Sequence, residues 1–94
     1  MQAEERFLAE LAGGIIFAGG SARFTQQSGL ALAREVWAEL RRMGTDTYPA
    51  MLEREELRFV YQWDESPQVI TVMLWDDVMW QDMARVEIPP ELEL

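Results

Sequence analysis

The chain contains no histidine, cysteine or lysine, and all eight of its basic residues are arginine. Each absence closes a chemistry. Without His, Lys or Cys, the Ser–His and Cys–His nucleophile pairs and the Ser–Lys dyad cannot be built. Without thiols there is neither a disulfide nor a thiolate metal site, a composition that suits a cytoplasmic protein. Asparagine is missing as well, and Lys and Asn are both residues of AT-rich codons, so a high-GC genome accounts for the all-arginine usage. The start, Met1-Gln2-Ala3-Glu4-Glu5-Arg6, is acidic where a signal peptide is basic. The longest run without a polar side chain, Leu11 to Gly20, is far shorter than a membrane span.

What remains is rich in acid and in large apolar residues. Residues 1–43 hold five acids and five arginines, whereas residues 44–94 hold twelve acids against Arg54, Arg58 and Arg85. The whole net charge of -9 therefore lies in the second half. Apolar residues make up 49% of the chain, with four Trp and four Phe, enough for one folded domain and too many for a disordered one. The expected domain covers residues 1–88, followed by a flexible acidic tail, 89–94, beginning at Pro89-Pro90.

Periodicity changes character after Gly44. Phe7, Leu8, Leu11, Ala12, Ile15 and Ala18 fall on one helical stripe that ends near Gly19-Gly20, with a break at Gly13-Gly14 as an option. Leu32, Ala33, Val36, Trp37, Leu40 and Met43 form a second stripe, with Thr25 or Ser28 as its cap and Gly44 as its stop. Beyond Gly44 the pattern alternates. Leu57 to Trp63 and Gln68 to Trp75 flank Asp64-Glu65-Ser66-Pro67, which has turn chemistry. With those four residues as the loop, Leu57 meets Leu74, Phe59 meets Val72 and Tyr61 meets Ile70 on one apolar face. The other face, with Arg58, Val60, Gln62, Val69, Thr71, Met73 and Trp75, is mixed. Residues 44–56 suit either a short helix or an edge strand, Val78 to Arg85 either a short helix or an extended crossing, and Met83 to Ile88 a further strand. The expected fold is α+β, with two N-terminal helices on a small antiparallel sheet, a hairpin or a meander of three or four strands.

Function is read from what is left open. Carboxylate pairs alone could support catalysis, but seventeen acids place some together by chance, so a non-enzymatic protein is expected. The glycine doublets lack both dinucleotide spacing and a phosphate-loop lysine, so no cofactor is expected. Asp76, Asp77 and Asp82 offer oxygen ligands to a hard cation, but without a calcium-loop pattern they read as a solvated acidic loop. Direct binding of nucleic acid needs a basic surface. The only basic stripe, Arg34, Arg41 and Arg42, reads as counter-charge for the acidic half.

The candidate site is acidic. In the hairpin register Glu55 lies opposite Asp76, with Glu53, Glu56 and Asp77 adjoining and only Arg54 and Arg58 to answer them. Asp82 extends the cluster, and Met73, Trp75 and Trp80 stand beside it as apolar anchors of the kind interfaces concentrate. Two functions fit. One is an acidic protein that masks or inhibits a basic, nucleic-acid-binding partner by imitating a phosphate row. Small phage proteins that block host defence nucleases, including anti-CRISPR proteins, share this composition, an analogy that no motif carries. The other is a structural, assembly or immunity-type subunit acting through an oligomeric interface, with a homodimer through Val60, Met73 and Trp75 as one form. The competing reading of the acids is solubility alone.

Overall fold

A computed structural model describes residues 2–94. Two helices, α1 (Ala3–Gly19) and α2 (Gln26–Met43), precede four strands, β1 (Ala50–Arg54), β2 (Leu57–Gln62), β3 (Val69–Trp75) and β4 (Trp80–Glu87). A 3-10 turn, Pro90–Leu92, closes the chain. The strands form one antiparallel meander in the order β1-β2-β3-β4. The fold is thus α+β with its helices N-terminal, and no helix among the described residues is long and apolar enough to cross a membrane.

Local chemistry sets the element ends. Thr25 caps α2 by accepting from the Ser28 backbone N–H at 3.1 Å, while the Ser28 hydroxyl accepts from Thr25 N–H at 2.9 Å. Gly44 stops α2 at a φ of 61°, and its N–H reaches the carbonyls of Leu40 and Arg41. The Gly13-Gly14 doublet does not break α1. A Cβ on Gly14 would stand 3.1 Å from the Ala84 Cβ and also touch Val72 and Val86, so this glycine lets α1 settle directly on the sheet.

The central register is the one the hairpin pattern implies: Leu57↔Leu74, Phe59↔Val72 and Tyr61↔Ile70. The two undecided stretches are both strands, β1 at one edge of the sheet and β4 at the other. Between Val72 and Met73 the pairing with β4 shifts, from Val72↔Ala84 to Met73↔Asp82, which leaves Met83 as an extra residue. The bulge lets Ala84 and Val86 face the helices while Trp80 and Asp82 still face away.

Both helices cover the Phe59 face. Phe7, Leu11 and Ile15 of α1 and Val36, Trp37 and Leu40 of α2 are buried with Leu57, Phe59, Tyr61, Ile70 and Val72. Trp37 lies between Phe7 and Tyr61, with ring centroids 4.8 and 5.6 Å away. Each such side chain contributes about 1.5–3 kcal/mol by leaving water. Among the described residues, no helix covers the opposite face of the sheet.

Residues 89–94, expected as a flexible tail, make contacts with the domain: Leu92 packs against the core, Gln68 N–H donates to Glu93 Oε2 at 3.2 Å, and Leu94 N–H donates to Gln68 Oε1 at 3.3 Å. Gln68, 4% exposed, also accepts from the Tyr61 hydroxyl and donates to the Trp63 carbonyl at 2.6 Å. A buried amide in want of partners therefore holds the chain end. One expectation is corrected: Arg41 and Arg42 of α2 do not answer the acidic half. Arg41 pairs with Glu4 at 3.9 Å and Arg42 with Glu39 at 2.5 Å, both within the first half.

Candidate acidic and aromatic groove

The open end of the central hairpin is where the β1–β2 and β3–β4 turns come together. Between them lies an open groove of about 570 Å³ lined by Glu53, Glu56, Arg58, Leu74, Trp75, Asp77 and Trp80. Five of the nine candidate residues, Glu53, Glu56, Trp75, Asp77 and Trp80, therefore meet here. Three carboxylates face one guanidinium, so the groove is electronegative.

Glu55 and Glu56 form the tight β1–β2 turn, at φ 54° and 64°. Two positive φ angles at the centre of a two-residue hairpin loop mark a type I′ turn, a position that favours Asn-Gly. Glu55 is thus a turn residue and not the cross-strand partner of Asp76 that the extended register gives. Its side chain does not line the groove, and its carbonyl accepts from the Arg23 guanidinium. Arg23 also reaches Glu56 at 3.9 Å, but the Glu56 side chain stays 86% exposed, so this pair is weak.

Asp76 has a structural task. Its Oδ1 accepts from the backbone N–H groups of Val78, at 2.9 Å, and Met79, at 2.8 Å, and its Oδ2 accepts from Gln81 at 2.7 Å. Those bonds, Met79 first, then Gln81 and Val78, hold its carboxyl below the ordinary value. Neighbouring Asp77, at φ 76°, lines the groove. The turn also carries Val78, 80% exposed, and Met79 into solvent.

Asp82 and Met73 stand apart from this groove. They are opposite one another on β4 and β3, and line a second hollow of about 350 Å³ with Met51, Arg58, Val60, Gln62, Thr71 and Arg85. Among the described residues no cluster of three or more acids is placed to hold a metal ion, so the cation reading of Asp76, Asp77 and Asp82 has no geometry behind it.

Arg58 is the residue that the sequence reading underrates. It borders both hollows, donates to Glu53 Oε2 at 3.0 Å, and lies 4.3 Å above the Trp80 ring. Its position facing away from Phe59 in the alternating strand is the signal that finds it. Arg54, expected to answer the same acids, turns instead to Glu35 on α2, at 3.2 Å. Trp75 and Trp80 pair across β3 and β4, ring centroids 5.6 Å apart and inclined at 61°, and Trp75 remains 45% exposed. No family model matches this chain, and no curated protein or solved structure matches it either.

Proposed function

We propose that the protein is a non-enzymatic binding module whose groove docks a basic segment of another protein inside the cell, masking or inhibiting a nucleic-acid-binding partner. The observation that carries this reading is the convergence of Glu53, Glu56 and Asp77 with the exposed Trp75 in one concavity. Carboxylates there speed encounter with a basic partner, and an aromatic anchor slows release. The arrangement departs from a phosphate row, because Glu53 sits near the end of β1 while Glu56 and Asp77 sit on two different turns, not at alternate positions of one strand. The imitation of nucleic acid is of charge and of a stacking surface. An anti-defence role of the anti-CRISPR kind is one setting for such a masking protein.

The test is Glu56→Gln combined with Asp77→Asn, two changes that remove charge from exposed turn positions. A partner recovered by the wild-type protein from a host lysate should be lost from the variant and should dissociate steeply with added salt. Equal recovery by a folded variant refutes the proposal.

A second reading rests on the uncovered sheet face. Met51, 49% exposed, lies beside Val60 and Met73 around the second hollow, as an oligomeric or assembly subunit acting through this face would need. Light scattering across a concentration series reporting only a monomer removes the homodimer form of this reading.

A further inference from the structure

We infer that the groove selects arginine over lysine in the segment it receives, with Trp75 as the stacking platform and Glu56 and Asp77 as the acceptors. This rests on the groove being the contact for a basic partner, and adds the chemistry of its ligand.

The molecule already shows the arrangement once. Arg58 lies 4.3 Å over Trp80 and donates to Glu53 at 3.0 Å, so one guanidinium, one indole and one carboxylate form a closed set on one wall. Beside it, among the described residues, Trp75 carries no stacked guanidinium, and Glu56 meets only the long, exposed contact from Arg23 at 3.9 Å. Trp75 is 45% exposed, Glu56 is 86% exposed, and Asp77 completes the lining. Trp75 is also the residue paired with Trp80, so the two platforms adjoin. An arginine entering from outside would repeat the Arg58 arrangement on Trp75.

The side-chain chemistry gives the direction of the preference. A guanidinium is planar and weakly hydrated; it stacks on an indole while its edge donates to carboxylates. An ammonium is compact and strongly hydrated, and it gains from the carboxylates but little from the ring. Lysine thus retains the electrostatic part and loses the stacking part. Charge alone would not discriminate between the two.

The experiment titrates the full chain by calorimetry with a capped hexa-arginine peptide and a capped hexa-lysine peptide, at about 150 mM salt to damp non-specific attraction. The arginine peptide is expected to bind about threefold to thirtyfold more tightly. Trp75→Ala, at an exposed position, should bring the two affinities together, and Trp75→Phe should restore part of the gap. Glu56→Gln with Asp77→Asn should weaken both peptides by a similar factor. A gap that persists in Trp75→Ala overturns the inference, because the preference would then come from elsewhere. Equal affinities in the wild type, both lost in the double variant, also overturn it while leaving the basic-partner reading intact. If neither peptide binds, both readings fall.

Discussion

Replacing Glu55-Glu56 by Asn-Gly should stabilise the fold and cost it a partner. Both glutamates sit at positive φ, 54° and 64°, between the last residue of β1 and the first of β2. An L-residue with a Cβ held there costs about 1–2 kcal/mol. Glycine at the second position removes that cost but returns about 0.5–1 kcal/mol through the greater freedom of the unfolded chain. Asparagine at the first position relieves part of the strain, since its short polar side chain tolerates left-handed backbone. The Arg23 bond to the residue 55 carbonyl survives, and the long Arg23–Glu56 pair is too exposed to weigh much. The net expectation is a gain of about 1–2 kcal/mol, which for a domain this small raises the unfolding temperature by about 5–15 °C. Thermal unfolding and urea titration measure it, with an unchanged urea slope showing that the native state is still the one compared. A variant no more stable than the parent refutes the reasoning, because the turn would then carry no strain to release. If the gain appears together with weaker binding of a basic partner, the glutamates are retained against local preference for their charge.

Other perturbations probe separate links of the same argument. Phe59→Ala empties a site that is 0% exposed beneath both helices, and should lower stability by about 3–5 kcal/mol in urea unfolding. Gln68→Leu leaves the buried Tyr61 hydroxyl and the Trp63 carbonyl without their partner and frees the chain end, for a loss of about 2–5 kcal/mol; faster hydrogen exchange across 89–94 should accompany it. Asp76 titrates below its usual value in the folded state, so its ionised form adds stability above that usual value, and this is lost as pH falls through the folded pKa. Asp76→Asn should therefore unfold earlier in urea than the wild type at pH 7, with the gap closing below about pH 4. A gap constant with pH would mean that the charge on Asp76 is idle.

The fold was legible because burial acts on periodicity. The stripes of Phe7 to Ala18 and Leu32 to Met43, and the alternation of Leu57 to Tyr61 against Ile70 to Leu74, each permit one arrangement that buries every large apolar residue. The edges were less legible for a physical reason. β1 and β4 each have a strand neighbour on one side only, and their patterns are diluted by Glu53, Arg54, Gln81, Asp82 and Arg85, as edge strands in water require. The bulge at Met83 also breaks the alternation that would identify β4. The β1–β2 turn stayed hidden because Glu-Glu is poor turn chemistry, and nothing in its sequence marks positive φ. In the site, the crowding of acids at one end of the sheet was readable from the hairpin register. Which carboxylates remain available was not. Asp76 is consumed by its own turn, Glu55 does not line the groove, and Asp82 lines the second hollow. Such assignments depend on side-chain direction at turns, which composition does not encode.

Arg58 tests whether the groove and the fold can be varied independently. Its guanidinium answers Glu53 and covers Trp80, yet its buried Nε has no hydrogen-bond partner and its side chain is only 27% exposed. Part of what it gains from the carboxylate and the indole is therefore offset by a desolvated donor. Arg58→Met keeps an unbranched apolar stem over the sheet and removes the charge and that donor together, so stability should change by less than about 1 kcal/mol. Binding should respond more strongly. The groove loses the one guanidinium among its described lining residues, Glu53 is released, and a second indole face opens beside Trp75. A basic peptide should then bind more tightly than to the wild type, and its affinity should fall more steeply with salt. Weaker binding would carry the opposite meaning, that Arg58 holds Glu53 and Trp80 in the positions a partner needs. Calorimetry on the variant at two salt concentrations, with circular dichroism to confirm the fold, separates the two outcomes.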